Sequence, residues 1–331
     1  MSDNSPNTKK ASAIFQAAAI FILTALSAPA FPGGGGSVSS FLFLAASGGG
    51  AAWLCLRCGY VFGILSAAAG FFLNWYLQSS ALSALASFSL IPVGITYALV
   101  SKRRMSRSQA VGISAASVSA LCLAAVIIPV NQATGSFGLA QIKAAFPEFF
   151  EKLSEALSKS FTVTVAGQKV PFFTADSADA YVNMIIAISP GLAAAGIISL
   201  CFAAGWVYRL LLRLSSSELP EPSDWKLQPV PITAAFYCIS MLAAAVSGSD
   251  NIIWLAAFNL SAILTPWFFF AGIASVGEAR MVDGFRRPRI LRQVMLFFSI
   301  FLGIPAVIGL CCIFGVYDSV KTLFPKKKTD N

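Results

Sequence analysis

Cys55 and Cys58 stand at the C-x-x-C spacing of a metal or redox pair. Two thiols so placed supply half of a tetrahedral site, but no second pair follows and Arg57 lies between them, so two buried structural thiols are the better reading. Cys122, Cys201, Cys238, Cys311 and Cys312 fall inside apolar runs, where a thiol behaves as a small hydrophobe. The chain has no histidine. That removes Ser-His and Cys-His hydrolases, His-ligated zinc proteases and His-ligated haem proteins. P-loop and dinucleotide signatures are missing as well. The sequence therefore predicts no enzyme, no cofactor and no bound metal.

The remaining residues with polar chemistry are neutral. Gln16, Asn74, Asn183 and Asn259 sit inside apolar runs, with no acidic or basic side chain beside them at mid-run. Coupling to protons or sodium through a buried carboxylate is thus poorly supported. Asn and Gln commonly bond from helix to helix; they can also line a cavity for a neutral or polar solute. Pro190-Gly191, Pro266 and Pro305 each interrupt an apolar run, and a proline there removes a backbone hydrogen bond that no bulk water replaces. Such breaks are either static kinks or the edges of a solute site. Asn74, Asn183, Asn259, Pro190, Gly191 and Pro266 are the candidate cavity-lining residues. Gly59, Gly63 and Ala67 recur every four residues and predict a smooth face for close helix packing.

These residues need elements to hold them, and composition says which. Hydrophobic residues make up 57% of the 331 positions and charged ones 11%, too little polar surface to cover a soluble core. The apolar residues come in long uncharged runs, which predicts an all-α, polytopic transmembrane bundle of about eight or nine spans. A polar tail, residues 1–10, precedes one membrane domain, residues 11–320, and a basic tail, 321–331. Run 11–31 resembles a signal peptide, with Ala28-Pro29-Ala30 as a cleavage-like site, but its length favours a retained first span. Further spans are expected at 38–56, 58–77, 81–101, 109–130, 181–208, 229–246, 252–276 and 294–316, with Gln78-Ser79-Ser80 as the turn between the third and fourth. The last is read as one crossing, with a re-entrant pair split at Pro305 as the alternative.

Residues 131–180 differ. Between 146 and 161, Phe146, Phe149, Phe150, Leu153, Leu157 and Phe161 recur at helical steps, while Glu148, Glu151, Lys152, Glu155 and Lys159 take the other face. The pattern predicts an outward amphipathic helix on the membrane surface. Residues 161–165 and 169–173, around 166–168, predict a small hairpin.

The net charge of +9 does not form a nucleic-acid stripe. Lys9, Lys10, Arg57, the group around Lys102, Arg209, Arg213, Lys226 and the Arg280–Arg292 group alternate with the spans. With the N-terminus cytoplasmic, all of them fall on the inner side of a bacterial plasma membrane. Trp225 and Lys226 then lie at the inner interface, as a helix anchor or as a docking point for a cytoplasmic partner.

Several short motifs in order carry a family likeness: Arg57-Cys58-Gly59, the basic group from Lys102, the segment 146–161, Asp224-Trp225-Lys226-Leu227 with Pro229, Asn259 leading to Phe270-Ala271-Gly272, and Gly315-Val316-Tyr317-Asp318. Nearly the whole chain resembles the YybS-like bacterial membrane proteins, a family of unassigned function (domain of unknown function 2232). The family's arginine beyond the terminal glycine and aspartate is missing here, and the chain runs through Lys321 to a lysine tail. The resemblance implies a distant likeness to the substrate-binding membrane components of energy-coupling-factor transporters, hence a solute site and a cytoplasmic ATPase partner. It implies no functional residues. The rival expectation is an interaction or envelope-biogenesis protein that works through 146–161.

Overall fold

Leu, Ile, Val, Phe and Ala fill the apolar runs, and in hydrocarbon such a run must bond its own peptide groups, which the α-helix does within one segment. The computed structural model describes residues 38–78, 90–145, 147–148, 150–151, 155, 162–165, 168–171, 175–214, 229–248, 251–278 and 303–321. Among them are nine helices: α1 (Val38–Cys58), α2 (Tyr60–Gln78), α3 (Leu90–Lys102), α4 (Arg107–Thr134), α5 (Leu139–Ala145), α6 (Ala175–Leu214), α7 (Pro231–Val246), α8 (Ile252–Glu278) and α9 (Gly303–Lys321). The fold is a helical membrane bundle. Four of these helices are long and apolar enough to cross a bilayer, over Phe41–Cys58, Arg107–Thr134, Ala180–Leu214 and Ile252–Ser275, and Tyr60–Gly70 and Pro231–Val246 are shorter apolar helices. The first expected span, 11–31, lies outside the described residues.

Six expected spans coincide with helices whose ends differ by some residues, while of 81–101 and 294–316 only the parts in α3 and α9 are described. α6 has 40 residues, about 60 Å at 1.5 Å per residue and twice the hydrocarbon thickness. It starts before and ends after the apolar run because charged and small residues at its ends continue a helix that needs no lipid. α4 runs to Thr134, whose Oγ1 donates to the Val130 carbonyl at 2.8 Å, so Pro129 lies inside it. Pro305 stands in the first turn of α9 as described from Gly303, where a missing N–H would have no intrahelical partner. Residues 294–302 lie outside the described residues, and α9 is continuous from Gly303 to Lys321.

Strand β1 (Thr162–Val165) pairs antiparallel with β2 (Gln168–Pro171), Val165 opposite Gln168 and Thr162 opposite Pro171. The second arm begins one residue earlier than expected, leaving 166–167 as a connection of the length that the tightest hairpins use. Of segment 146–161, residues 147, 148, 150, 151 and 155 are helical, with Glu148, Glu151 and Glu155 exposed and Phe150 half-buried, as an amphipathic helix requires. Its other residues lie outside the described ones. Helical structure starts earlier than 146, in α5.

The chain divides into two compact units: one takes the described residues of Met1–Ser119, Ala195–Phe236 and Leu264–Asn331, the other those of Ala120–Ala194 and Tyr237–Ile263. In the first, α1 and α2 are joined by Gly59 alone, at φ 98°, a conformation that only glycine adopts without strain. α3 lies on α1, where Gly94 comes within contact of Ala51. The core includes Leu54, Val93, Tyr97, Val111, Phe202, Tyr208 and Phe268, all buried. Val61, Leu65 and Phe72 on α2 are instead exposed at 61–68%. Such side chains belong against lipid.

Candidate functional site

Pro190 lies inside α6, in the part of that helix that belongs to the second unit. It has no N–H for the Ile186 carbonyl four residues back, and that carbonyl accepts instead from Ser189 Oγ at 2.8 Å. The next residue, Gly191, donates its N–H to Asn259 Oδ1 on α8 at 2.7 Å. Ala187 C=O, four residues before Gly191, accepts from Asn259 Nδ2 at 3.1 Å. The same Nδ2 donates to Leu255 C=O at 3.0 Å. One carboxamide thus binds an N–H and a C=O of the turn at Pro190, and this network fixes which end of the amide is oxygen.

Gly191 makes the approach possible. A Cβ there would come 2.5 Å from Asn259 Oδ1 and 2.7 Å from Asn259 Cα, inside the contact distance of any real side chain. Asn259 is half-buried and Gly191 buried, whereas Pro190 faces outward.

The structure brings together three of the six candidate cavity residues, Pro190, Gly191 and Asn259. Asn183 is exposed two turns before Pro190. Pro266 is buried in the first unit. Asn74 belongs to α2, and its side chain lies outside the described residues, as do Trp225 and Lys226. Of the expected packing face, Gly63 lies against Cys55 Sγ and the Ala51 carbonyl, and Ala67 is buried. Gly59 does not pack: nothing lies within 4 Å of a Cβ built there, because its task is the sharp joint between α1 and α2.

In the first unit, sequence reasoning missed three polar ties onto α6. Tyr97 Oη donates to Cys201 C=O at 2.7 Å, Tyr208 Oη to Ser101 Oγ at 2.7 Å, and Arg107 to Phe202 C=O at 3.2 Å. Gly205 leaves room for the Tyr97 hydroxyl. Arg107 is buried at the start of α4, a helix end that disfavours a cation, so the carbonyl and the Phe202 ring, 6.0 Å from its guanidinium, offset part of that cost. A legible signal existed. Ser106 and Gln109 form a reciprocal capping box, Ser106 N–H to Gln109 Oε1 at 3.0 Å and Gln109 N–H to Ser106 Oγ at 3.3 Å, which sets the helix start and puts Arg107 in its first turn. Tight glycine contacts join α8 to α9 in the same unit: Gly272 against the Cys311 carbonyl and Gly315 against the Phe268 carbonyl.

Chemically, the second-unit arrangement offers backbone donors and acceptors matched to an amide or hydroxyl. Among the described residues no group of three metal-binding side chains comes together, and all seven cysteines are free.

A family model described as "Predicted membrane protein (DUF2232)" matches residues 35–319. The chain belongs to this family of predicted membrane proteins. No curated protein and no solved structure matches it.

Proposed function

We propose that this member of a predicted membrane-protein family is a non-enzymatic solute-binding or transport component of the bacterial inner membrane, driven by a cytoplasmic partner. The observation that carries the reading is the Asn259 bonding beside Pro190: Asn259 holds the Gly191 N–H and the Ala187 C=O with the groups that a solute amide or hydroxyl would present. A polar solute that displaced the carboxamide would find one donor and one acceptor already oriented, and would free the Asn259 amide to bond the solute in turn. Broken helices supply ligand groups of this kind in transporters. An ATPase is the partner that the distant resemblance read in the sequence implies, with Trp225 and Lys226 as its docking point or as a helix anchor at the interface. The alternation of basic groups along the chain supports a cytoplasmic N-terminus.

Native mass spectrometry of protein purified from its host in mild detergent tests this reading. A small molecule is expected to stay on the wild type and to be lost on Asn259→Leu, and an ATPase subunit is expected to co-purify. Repeated purification with neither would overturn it.

A second reading, an interaction or envelope-biogenesis protein, is favoured by the exposed Glu148, Glu151 and Glu155 beside half-buried Phe150. Deleting residues 146–161 separates the two: solute retention survives the deletion under the first reading, and cellular function is lost with solute retention irrelevant under the second.

A further inference from the structure

Two helix junctions of the first unit meet at one place. Gly59 turns α1 into α2, and the segment 103–106 turns α3 into α4. Lys102 Nζ lies 4.5 Å from the centre of the Tyr60 ring, and the Arg57 guanidinium 5.0 Å from the centre of the Trp53 ring. With Arg103 and Arg104, this puts four exposed cations at the paired junctions. None of the four forms an ion pair among the described residues.

Arg104 is the informative one. Its N–H donates to Ser101 C=O at 3.1 Å, and Met105 N–H donates to Val100 C=O at 2.9 Å. Those bonds make the Schellman close of α3, with Arg104 at the left-handed position, φ 52°. Glycine is the unstrained residue there, and a residue with a Cβ adopts this conformation at a cost. A cation thus occupies a position where the backbone alone favours glycine.

Below the cations are donors without acceptors. Trp53 Nε1 and Tyr60 Oη, each on a ring covered by one of these charges, are buried with no hydrogen-bond partner among the described residues; Trp53 is 8% exposed. Around them the surface turns apolar at once: Val61, Phe62 and Leu65 on α2 and Leu99 on α3 are all exposed. Cations, ring donors and an apolar wall in that order match a phosphate headgroup above acyl chains.

We propose that the paired junctions at Gly59 and Arg104 bind the phosphate of an anionic phospholipid, with Arg57, Lys102 and Arg104 as its cationic partners. The adjoining apolar wall selects a lipid over a free anion, since a soluble phosphate has no use for it. The site lies apart from the bonding at Pro190 and does not depend on the solute reading.

Native mass spectrometry of the full chain, with phosphatidylglycerol and phosphatidylcholine offered in equal amounts, tests it, with a second arm that measures thermal protection by inorganic phosphate alone. The wild type is expected to retain phosphatidylglycerol preferentially. Arg104→Gly is expected to keep or raise the thermal midpoint in lipid-free detergent, because it relieves the turn, and yet to hold phosphatidylglycerol about fivefold less well, the worth of one basic residue near an anionic leaflet. Arg104→Lys keeps the charge and is expected to stay close to wild type. The paired change of Arg57 and Lys102 to Gln is expected to weaken retention further. Folded Arg104→Gly protein that holds phosphatidylglycerol as the wild type does, or equal retention of phosphatidylcholine, would overturn the proposal. So would inorganic phosphate that protects as well as the lipid, which would mark a free-anion site instead.

Discussion

Asn259 makes three hydrogen bonds to backbone groups of the second unit, two of them to α6. Replacement by Leu keeps the branching and number of side-chain heavy atoms but leaves the Gly191 N–H and Ala187 C=O without the bonds seen here. Polar groups left unpaired away from water are expensive, although helix-to-helix bonds in membranes measure small, so Asn259→Leu is expected to cost about 1–3 kcal/mol. Reversible unfolding in mixed micelles measures it, and a change below the error of that method would mean the carboxamide is not a bridge. Gly191→Ala is expected to destabilise comparably, by pushing Asn259 away. Tyr97→Phe removes one hydroxyl that meets Cys201 C=O and should cost about 0.5–1.5 kcal/mol. What was legible at this scale was residue type. An asparagine in an apolar run announces a polar partner, but periodicity does not say on which helix. Tyr97 reads as one more apolar residue and Arg107 as one more topological charge; their bonds arise only when α3 and α4 meet α6.

At the scale of elements, the packing contacts are made by glycines. Gly272 and Gly315 let α8 and α9 touch backbone to backbone, so Gly272→Leu and Gly315→Leu should each pry that pair apart and lower the thermal midpoint. Gly112, with nothing within 4 Å of an added Cβ, is the control, and Gly112→Ala is expected to gain about 0.5–1 kcal/mol from helix propensity. Equal losses at all three positions would mean that glycine is needed for something other than packing. Helix positions followed from uncharged runs because a span must be apolar throughout. Helix ends did not, since capping and the fate of a proline depend on where the first turn falls. Pro305 and Pro190 look alike in sequence; one stands in the first described turn of α9 and the other lies inside α6. Gly59 likewise fits a small-residue step, and only its φ of 98° shows that it is a joint. The motifs that carry the family likeness also have structural tasks here: Gly59 in the joint, Asn259 in the bridge, and Gly272 and Gly315 in the α8–α9 contact.

The whole molecule is held by the difference between lipid and water. Residues such as Phe72 at 68%, Leu242 at 67%, Ile252 at 79% and Ile313 at 63% exposure would each forfeit on the order of 1.5–3 kcal/mol in water relative to burial, and there are many of them across both units. Cell-free synthesis of the full chain, with and without liposomes, tests that claim most directly. With liposomes the chain is predicted to float with the vesicles and to resist an alkaline carbonate wash; without them it should pellet as aggregate at high speed. A monomeric species that stays in the supernatant without lipid or detergent would contradict the account.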